Sequence, residues 1–341
     1  MIKKLLILHF LFFAFVAAWS QDIHFSQFNS SPINLNPTNS GSFNGDYRFV
    51  ANQRNQWKSI TVPYKTFSTS FDKNFKNFNI RRTFFGAGVL INSDKAGDGE
   101  FGTTQINISA AAHYKLKKDS SLLFSFGLGG NIYQYSLNYN SLTFGEQYDG
   151  SFNSKLPTGE DFSKMADNII FFDFNIGVNL FFKFSRNNFG NIGFSAMHLN
   201  SPNVSFFLNN IYNNTLARKI LIYSNVSIKL GRKYTLLPAF FFQNQNSLTE
   251  INLGSMVKLN LNNILVHSIY FGGYYRIEDA FILNFAFDYK DIKLGFSYDI
   301  NVSKLFNVSN GRGGLEMSLI YIFDLSKNKY SLNRKICPTF I

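Results

Sequence analysis

Few side chains in this sequence are placed to do covalent chemistry. Beyond the N-terminal stretch there are four histidines, His24, His113, His198 and His267. None stands in HExxH or in a Cys/His metal spacing, and no GxSxG nucleophile elbow occurs. His267-Ser268 has the residue types of a base and a nucleophile. As strand neighbours they would point to opposite faces and could not converge. Asp94, Asp98 and Glu100 supply hard oxygen ligands from one loop but lack the spacing of a calcium loop, so a solvated hairpin is expected. Gly127-Leu128-Gly129-Gly130 would need a following helix to hold a phosphate. Strand glycines instead mark bends or close packing. Arg54 and Trp57 suit a barrel mouth, or simply a lumenal arginine and an interfacial aromatic. Cys337 is the single cysteine, so no intrachain disulfide or CxxC motif exists. It reads as a redox or docking residue, or as a buried thiol. No catalytic residue, metal ligand or cofactor is expected, and the chain does not read as an enzyme.

The elements that carry these residues are strands. Over residues 168–184, Ile170, Phe172, Phe174, Ile176, Val178, Leu180, Phe182 and Phe184 share one parity. Phe171, Asp173, Asn175, Gly177, Asn179, Phe181 and Lys183 share the other. Alternate side chains of a strand face opposite sides, so this is a ribbon with one apolar and one mostly polar face. It exceeds the usual strand of about 5–6 residues and satisfies the roughly 9–11 needed to cross a bilayer at a tilt. Phe281, Leu283, Phe285 and Phe287 repeat the pattern against Asn284, Ala286 and Asp288. So do Leu294, Phe296 and Tyr298 against Lys293, Gly295, Ser297 and Asp299.

Composition agrees. The chain has 341 residues with 41 Phe and 17 Tyr, yet a mean hydropathy of only -0.07. Half the positions facing lipid and half facing water give that combination. Two soluble domains fit the length less well than one closed barrel. A soluble β-sandwich would need shorter strands with their apolar faces sealed together. The net charge is +12, but the basic residues are scattered, which excludes a nucleic-acid patch and suits a lumen or membrane edges.

The alternation and turn residues predict strands at about 46–57, 64–75, 83–93, 101–117, 121–137, 168–184, 188–198, 219–230, 233–244, 248–260, 264–276, 280–290, 291–302 and 313–325. That makes an all-β, transmembrane outer-membrane β-barrel of about fourteen antiparallel strands. The first strand alternates poorly. Odd-numbered gaps are long and even-numbered gaps short, as expected of outer loops and periplasmic turns; the gap at 74–82 is longer than its class. Residues 1–20, with Lys3, Lys4 and an apolar run to Ala17, read as a signal peptide cut after Ser20. No cysteine follows, so a lipoprotein is excluded. Residues 21–45 read as a periplasmic lead-in or a plug, 46–325 as the barrel and 326–341 as a periplasmic tail.

Specific blocks add a resemblance. Gln21-Asp22-Ile23-His24-Phe25-Ser26-Gln27-Phe28, Pro32, Leu35-Asn36-Pro37, Arg54-Asn55-Gln56-Trp57 and Pro63-Tyr64 stand in order. Phe194-Ser195-Ala196-Met197-His198-Leu199-Asn200-Ser201-Pro202, Gly295-Phe296-Ser297-Tyr298-Asp299 and Cys337-Pro338-Thr339-Phe340 follow. Together they resemble the PorP/SprF family of type IX secretion membrane proteins. Gly313-Gly314-Leu315-Glu316 departs from the family's Gly-Ser-His-Glu run, so no role for that histidine carries over. The resemblance implies an outer-membrane component or accessory of the type IX protein secretion system. It implies outer-membrane lipid, the secretion machinery and a large, gliding-associated surface adhesin as partners, with no nucleic acid. Phe25, Gln27, Pro32, Asn36, Pro37, Cys337, Pro338 and Phe340 would then make plug or docking contacts. A channel for small hydrophobic molecules, of the fatty-acid transporter type, is the competing expectation. It would need an apolar track along the lumen.

Overall fold

Residues with apolar side chains at every second position can satisfy their backbone in a membrane only by closing the sheet on itself. The computed structural model, which describes residues 22–56, 62–151, 156–208, 214–304 and 306–324, does this with fourteen strands. They are β1 (Tyr47–Gln56), β2 (Tyr64–Ile80), β3 (Thr83–Ala96), β4 (Phe101–Lys115), β5 (Leu122–Ser136), β6 (Asn168–Lys183) and β7 (Phe189–Met197). The second half comprises β8 (Lys219–Leu230), β9 (Tyr234–Gln245), β10 (Leu248–Asn260), β11 (Val266–Arg276), β12 (Ala280–Tyr289), β13 (Ile292–Asn301) and β14 (Arg312–Phe323). Each strand pairs antiparallel with its sequence neighbours, and β1 closes on β14 with Arg54 opposite Glu316.

The parity read from the sequence holds. On β6, Ile170, Phe172 and Phe174 are exposed on the outer wall while Phe171, Asp173, Asn175 and Asn179 are buried within. On β12, Phe281, Leu283 and Phe285 face out and Asn284 faces in. The long gap after residue 74 closes up because β2 runs on to Ile80 past a register shift. Arg81 and Arg82, both with positive φ, make the tight turn. Asp94 lies in β3 rather than in the loop and accepts a hydrogen bond from Thr66 Oγ1 at 2.5 Å.

The even connections sit at one end and the long ones at the other, so the latter end is the outer one. There, the 137–167 and 199–218 loops are tied together. Ala166 N–H donates to Phe206 O at 2.8 Å, and Leu208 N–H donates to Lys164 O at 2.9 Å. Among the described residues no helix is long and apolar enough to cross a membrane. The helical pieces are single turns, and three of them, Phe28–Ser30, Pro32–Leu35 and Pro37–Asn39, lie inside the barrel.

Candidate functional site

The described part of the 21–45 segment, Asp22–Gly45, occupies the lumen. It rises from β1 at the periplasmic end, where Lys76 Nζ donates to Gly45 O at 2.9 Å. It ends near the outer mouth, where Asp22 N–H donates to Gln245 Oε1 at 3.2 Å. Such a segment cannot pair its backbone as a strand does. Its polar groups must therefore be met by inward side chains, and three clusters meet them.

Across the β1–β14 seam, both oxygens of Glu316 accept backbone N–H groups, from Ser26 at 2.8 Å and Gln27 at 2.9 Å. Ser318 Oγ donates to Gln27 Oε1 at 2.8 Å. Beside them, Asp299 accepts from Ser26 Oγ at 2.7 Å, Arg54 at 3.0 Å and Arg276 at 2.8 Å. Arg54 also donates to His24 O at 2.7 Å. Two guanidinium groups and two carboxylates are thus buried together. Each charge is tolerable there only because the others are present. His24 is held below the ordinary histidine range by burial and by the facing Arg54 and Arg276 charges.

Lower in the barrel, Asp72 binds Arg48 through both oxygens, at 2.9 and 2.8 Å, and accepts Gly41 N–H at 2.8 Å. Arg48 in turn donates to Asn39 O at 2.9 Å and lies over the Phe43 ring. His113 Nε2 meets Ser40 O at 3.0 Å. On the other wall Asn36 Nδ2 donates to Val178 O and Phe194 O, and Ser195 Oγ donates to Leu35 O. Inward glycines let the segment come this close. A Cβ on Gly127 would lie 2.5 Å from Thr38 N, and one on Gly86 would meet Ser40 O.

At the outer mouth His198, directly after β7, sits between Asp22 and Asp173, 2.8 Å from Asp173 Oδ2. Lys219 Nζ is 3.0 Å from Asp22 Oδ2. Burial alone would lower the His198 pKa, but the two carboxylates, Asp22 foremost, lift it to about 9. Desolvation would raise the pKa of the half-buried Asp22 carboxyl, yet His198 and Lys219 hold it well below the usual range.

Of the residues singled out from the sequence, Phe25, Gln27, Pro32, Asn36 and Pro37 lie buried in the lumenal segment, and Arg54 reaches it from β1. Trp57, Cys337, Pro338 and Phe340 lie outside the described residues, as do the signal-peptide and tail assignments. His267, at the register shift that opens β11, is exposed near the periplasmic end, and Ser268 is buried. Among the described residues no group of three or more His, Cys, Asp and Glu could hold a metal. The sequence reading missed Arg48, Asp72, Arg276, His198 and the tie to Glu316. The available signal was charge on the inward parity of strands, which a lumen of plain water would not require.

Residues 17–321 match the family of type IX secretion system membrane proteins PorP/SprF. The chain belongs to that family. No curated protein matches it. Among solved structures it resembles the Ralstonia pickettii toluene transporter TbuX, with a TM-score of 0.50 at 9% identity, over 86% of this chain and 94% of that one. The monoaromatic hydrocarbon channel CymD gives 0.50 at 10%, over 88% and 95%. A Pseudomonas aeruginosa FadL homologue gives 0.50 at 8%, over 87% and 95%. At such identities the likeness is one of fold. This PorP/SprF protein is therefore an outer-membrane barrel, and its family and fold are those of secretion and transport proteins rather than enzymes.

Proposed function

We propose that this PorP/SprF protein is a binding scaffold of the type IX secretion system that helps export or anchor a large surface adhesin, of the kind used in gliding. The observation that carries the reading is the plugged lumen. A segment fixed at three buried charge clusters leaves the barrel suited to holding partners rather than passing solutes. The outer loops, tied to one another and exposing Tyr148 and Leu208, are the cargo-facing surface. The periplasmic turns and the 326–341 tail, with Cys337, Pro338 and Phe340, face the machinery. A channel for small hydrophobic molecules is disfavoured by inward Asn107, Asn131, Asp173 and Asn179, which give no continuous apolar track. Affinity purification from outer membranes, with identification of the co-purifying surface protein, tests the assignment. Deleting residues 326–341 should leave the barrel inserted and abolish cargo display. Normal display by that variant would reject the docking role of the tail.

A further inference from the structure

The lumenal segment does not fill the whole barrel. On its periplasmic side, beneath the Phe28–Ser30 turn, lies a cavity of about 340 Å³, within the range of about 300–1,000 Å³ typical of small-molecule sites. Its lining is strongly one-signed. Lys183, Arg186, Lys229, Lys258 and Lys293 contribute five cations, and no carboxylate lines it. Lys183, Lys229, Lys258 and Lys293 share the inward parity of β6, β8, β10 and β13, so they face the lumen rather than lipid headgroups. Asp288, just outside the cavity, stands 3.8 Å from Lys258 and accepts the Tyr270 hydroxyl at 2.7 Å. Among the described residues no carboxylate pairs with Lys183, Arg186 or Lys229.

The cavity changes character with depth. Its mouth carries the cations of the strand ends and of the β6–β7 turn. Further in, Leu237, Met256, Tyr274 and Phe28 form an apolar floor. Phe28 and Tyr274 continue into the packed cluster with Leu35, Leu221, Tyr223 and Phe241, and Phe28 and Phe241 have ring centroids 5.1 Å apart. The register places that cluster on the outer side of the cavity, so the cavity ends blind and opens to the periplasm. Two side chains on its wall, Asn225 and Asn284, are over nine-tenths buried and have Oδ1 and Nδ2 without a protein partner. Buried polar atoms of this kind call for a ligand or ordered water.

From this arrangement we infer that the cavity is a binding site for a small amphiphilic organic anion taken from the periplasm. The carboxylate or phosphate head sits among Lys183, Lys229 and Lys258. The apolar body lies on Met256, Tyr274 and Phe28. Clustered like charges with low-dielectric walls favour such an anion over a neutral analogue, and the apolar floor favours it over a bare ion. The inference is independent of the secretion role and would stand if that role failed.

The test uses the full chain in nanodiscs of zwitterionic lipid, with empty nanodiscs subtracted, and titration calorimetry. The probes are decanoate, decyl phosphate, decanol and inorganic phosphate. Decanoate or decyl phosphate should bind saturably at one site, and the preferred head identifies carboxylate or phosphate as the natural group. Decanol and inorganic phosphate should each bind about tenfold or more weakly, since each forfeits one half of the contacts. Lys183→Glu with Lys229→Glu should weaken decanoate by at least about tenfold while heat-modifiable migration shows an intact barrel. Met256→Trp, which fills the floor, should abolish binding without touching a charge. Equal binding of decanol and decanoate, inorganic phosphate binding as well as decyl phosphate, or unchanged affinity in the folded charge-reversed variant would overturn the assignment. So would no saturable binding of either anion.

Discussion

The glycine at position 127 offers a perturbation whose size can be worked from the coordinates. Gly127 faces the lumen on β5 and its φ is not in the left-handed region, so alanine there meets no backbone strain. The added Cβ would lie 2.5 Å from Thr38 N, 2.7 Å from Pro37 C and 2.9 Å from Thr38 Cα. All three are backbone atoms, so no rotamer change can relieve the contact. The lumenal segment or β5 must shift. Overpacking of this kind costs about 1–3 kcal/mol. The strand is held on both edges by its ladders with β4 and β6, whereas the segment is held by side chains alone. The cost therefore falls on the segment, and its released population rises about 5- to 150-fold. Gly130 on the same strand supplies the control, because its Cβ would meet nothing within 4 Å. With Thr38→Cys in a Cys337→Ser background, thiol labelling in membranes should accelerate by that factor for Gly127→Ala and stay unchanged for Gly130→Ala. Equal labelling of the two variants, both migrating as folded barrels, would falsify the picture of a segment seated against β5.

Three further outcomes are expected. Asp72→Asn strips Arg48 of its bidentate partner where both side chains are at most 1% exposed; loss of one member of such a pair costs about 3–5 kcal/mol, visible as a lower heat-modification temperature. Glu316→Ala removes the acceptor of two backbone N–H groups. At about 1.5–3 kcal/mol for a hydrogen bond to a charged group, hydrogen exchange at Ser26 and Gln27 should quicken selectively while β13 and β14 stay protected. His198 has its pKa raised from 6.5 to about 9 by Asp22 and Asp173 against its burial. Its contribution is thus complete below pH 6.5 and is lost as pH rises through about 9. Wild type should exceed His198→Gln in stability at pH 6, and the gap should close by about pH 10; a gap that widens with pH would contradict the sign.

The barrel was written in the sequence because its signal is local and repeated. Residues such as Phe172, Phe174 and Ile176 report lipid every second position whatever their neighbours do. The first strand alternates poorly because Gln53 and Asn55 fall on its outward parity and Val50 on its inward one, while Arg48, Asn52 and Arg54 face the lumenal segment as inward polar residues should. The seat of that segment was not legible. Ser26 meets Glu316 across 290 residues of chain, and Asn36 meets Phe194 across 158. No period links such pairs. Gly86, Gly127 and Gly177 each mark a place of approach, yet their spacing alone does not name what approaches.

Several ligands of the lumenal segment come from the two strands that close the barrel on itself. β1 supplies Arg48 and Arg54, and β14, at the other end of the barrel sequence, supplies Glu316 and Ser318. The β1–β14 seam and the seat of residues 22–45 therefore share side chains, so weakening one weakens the other.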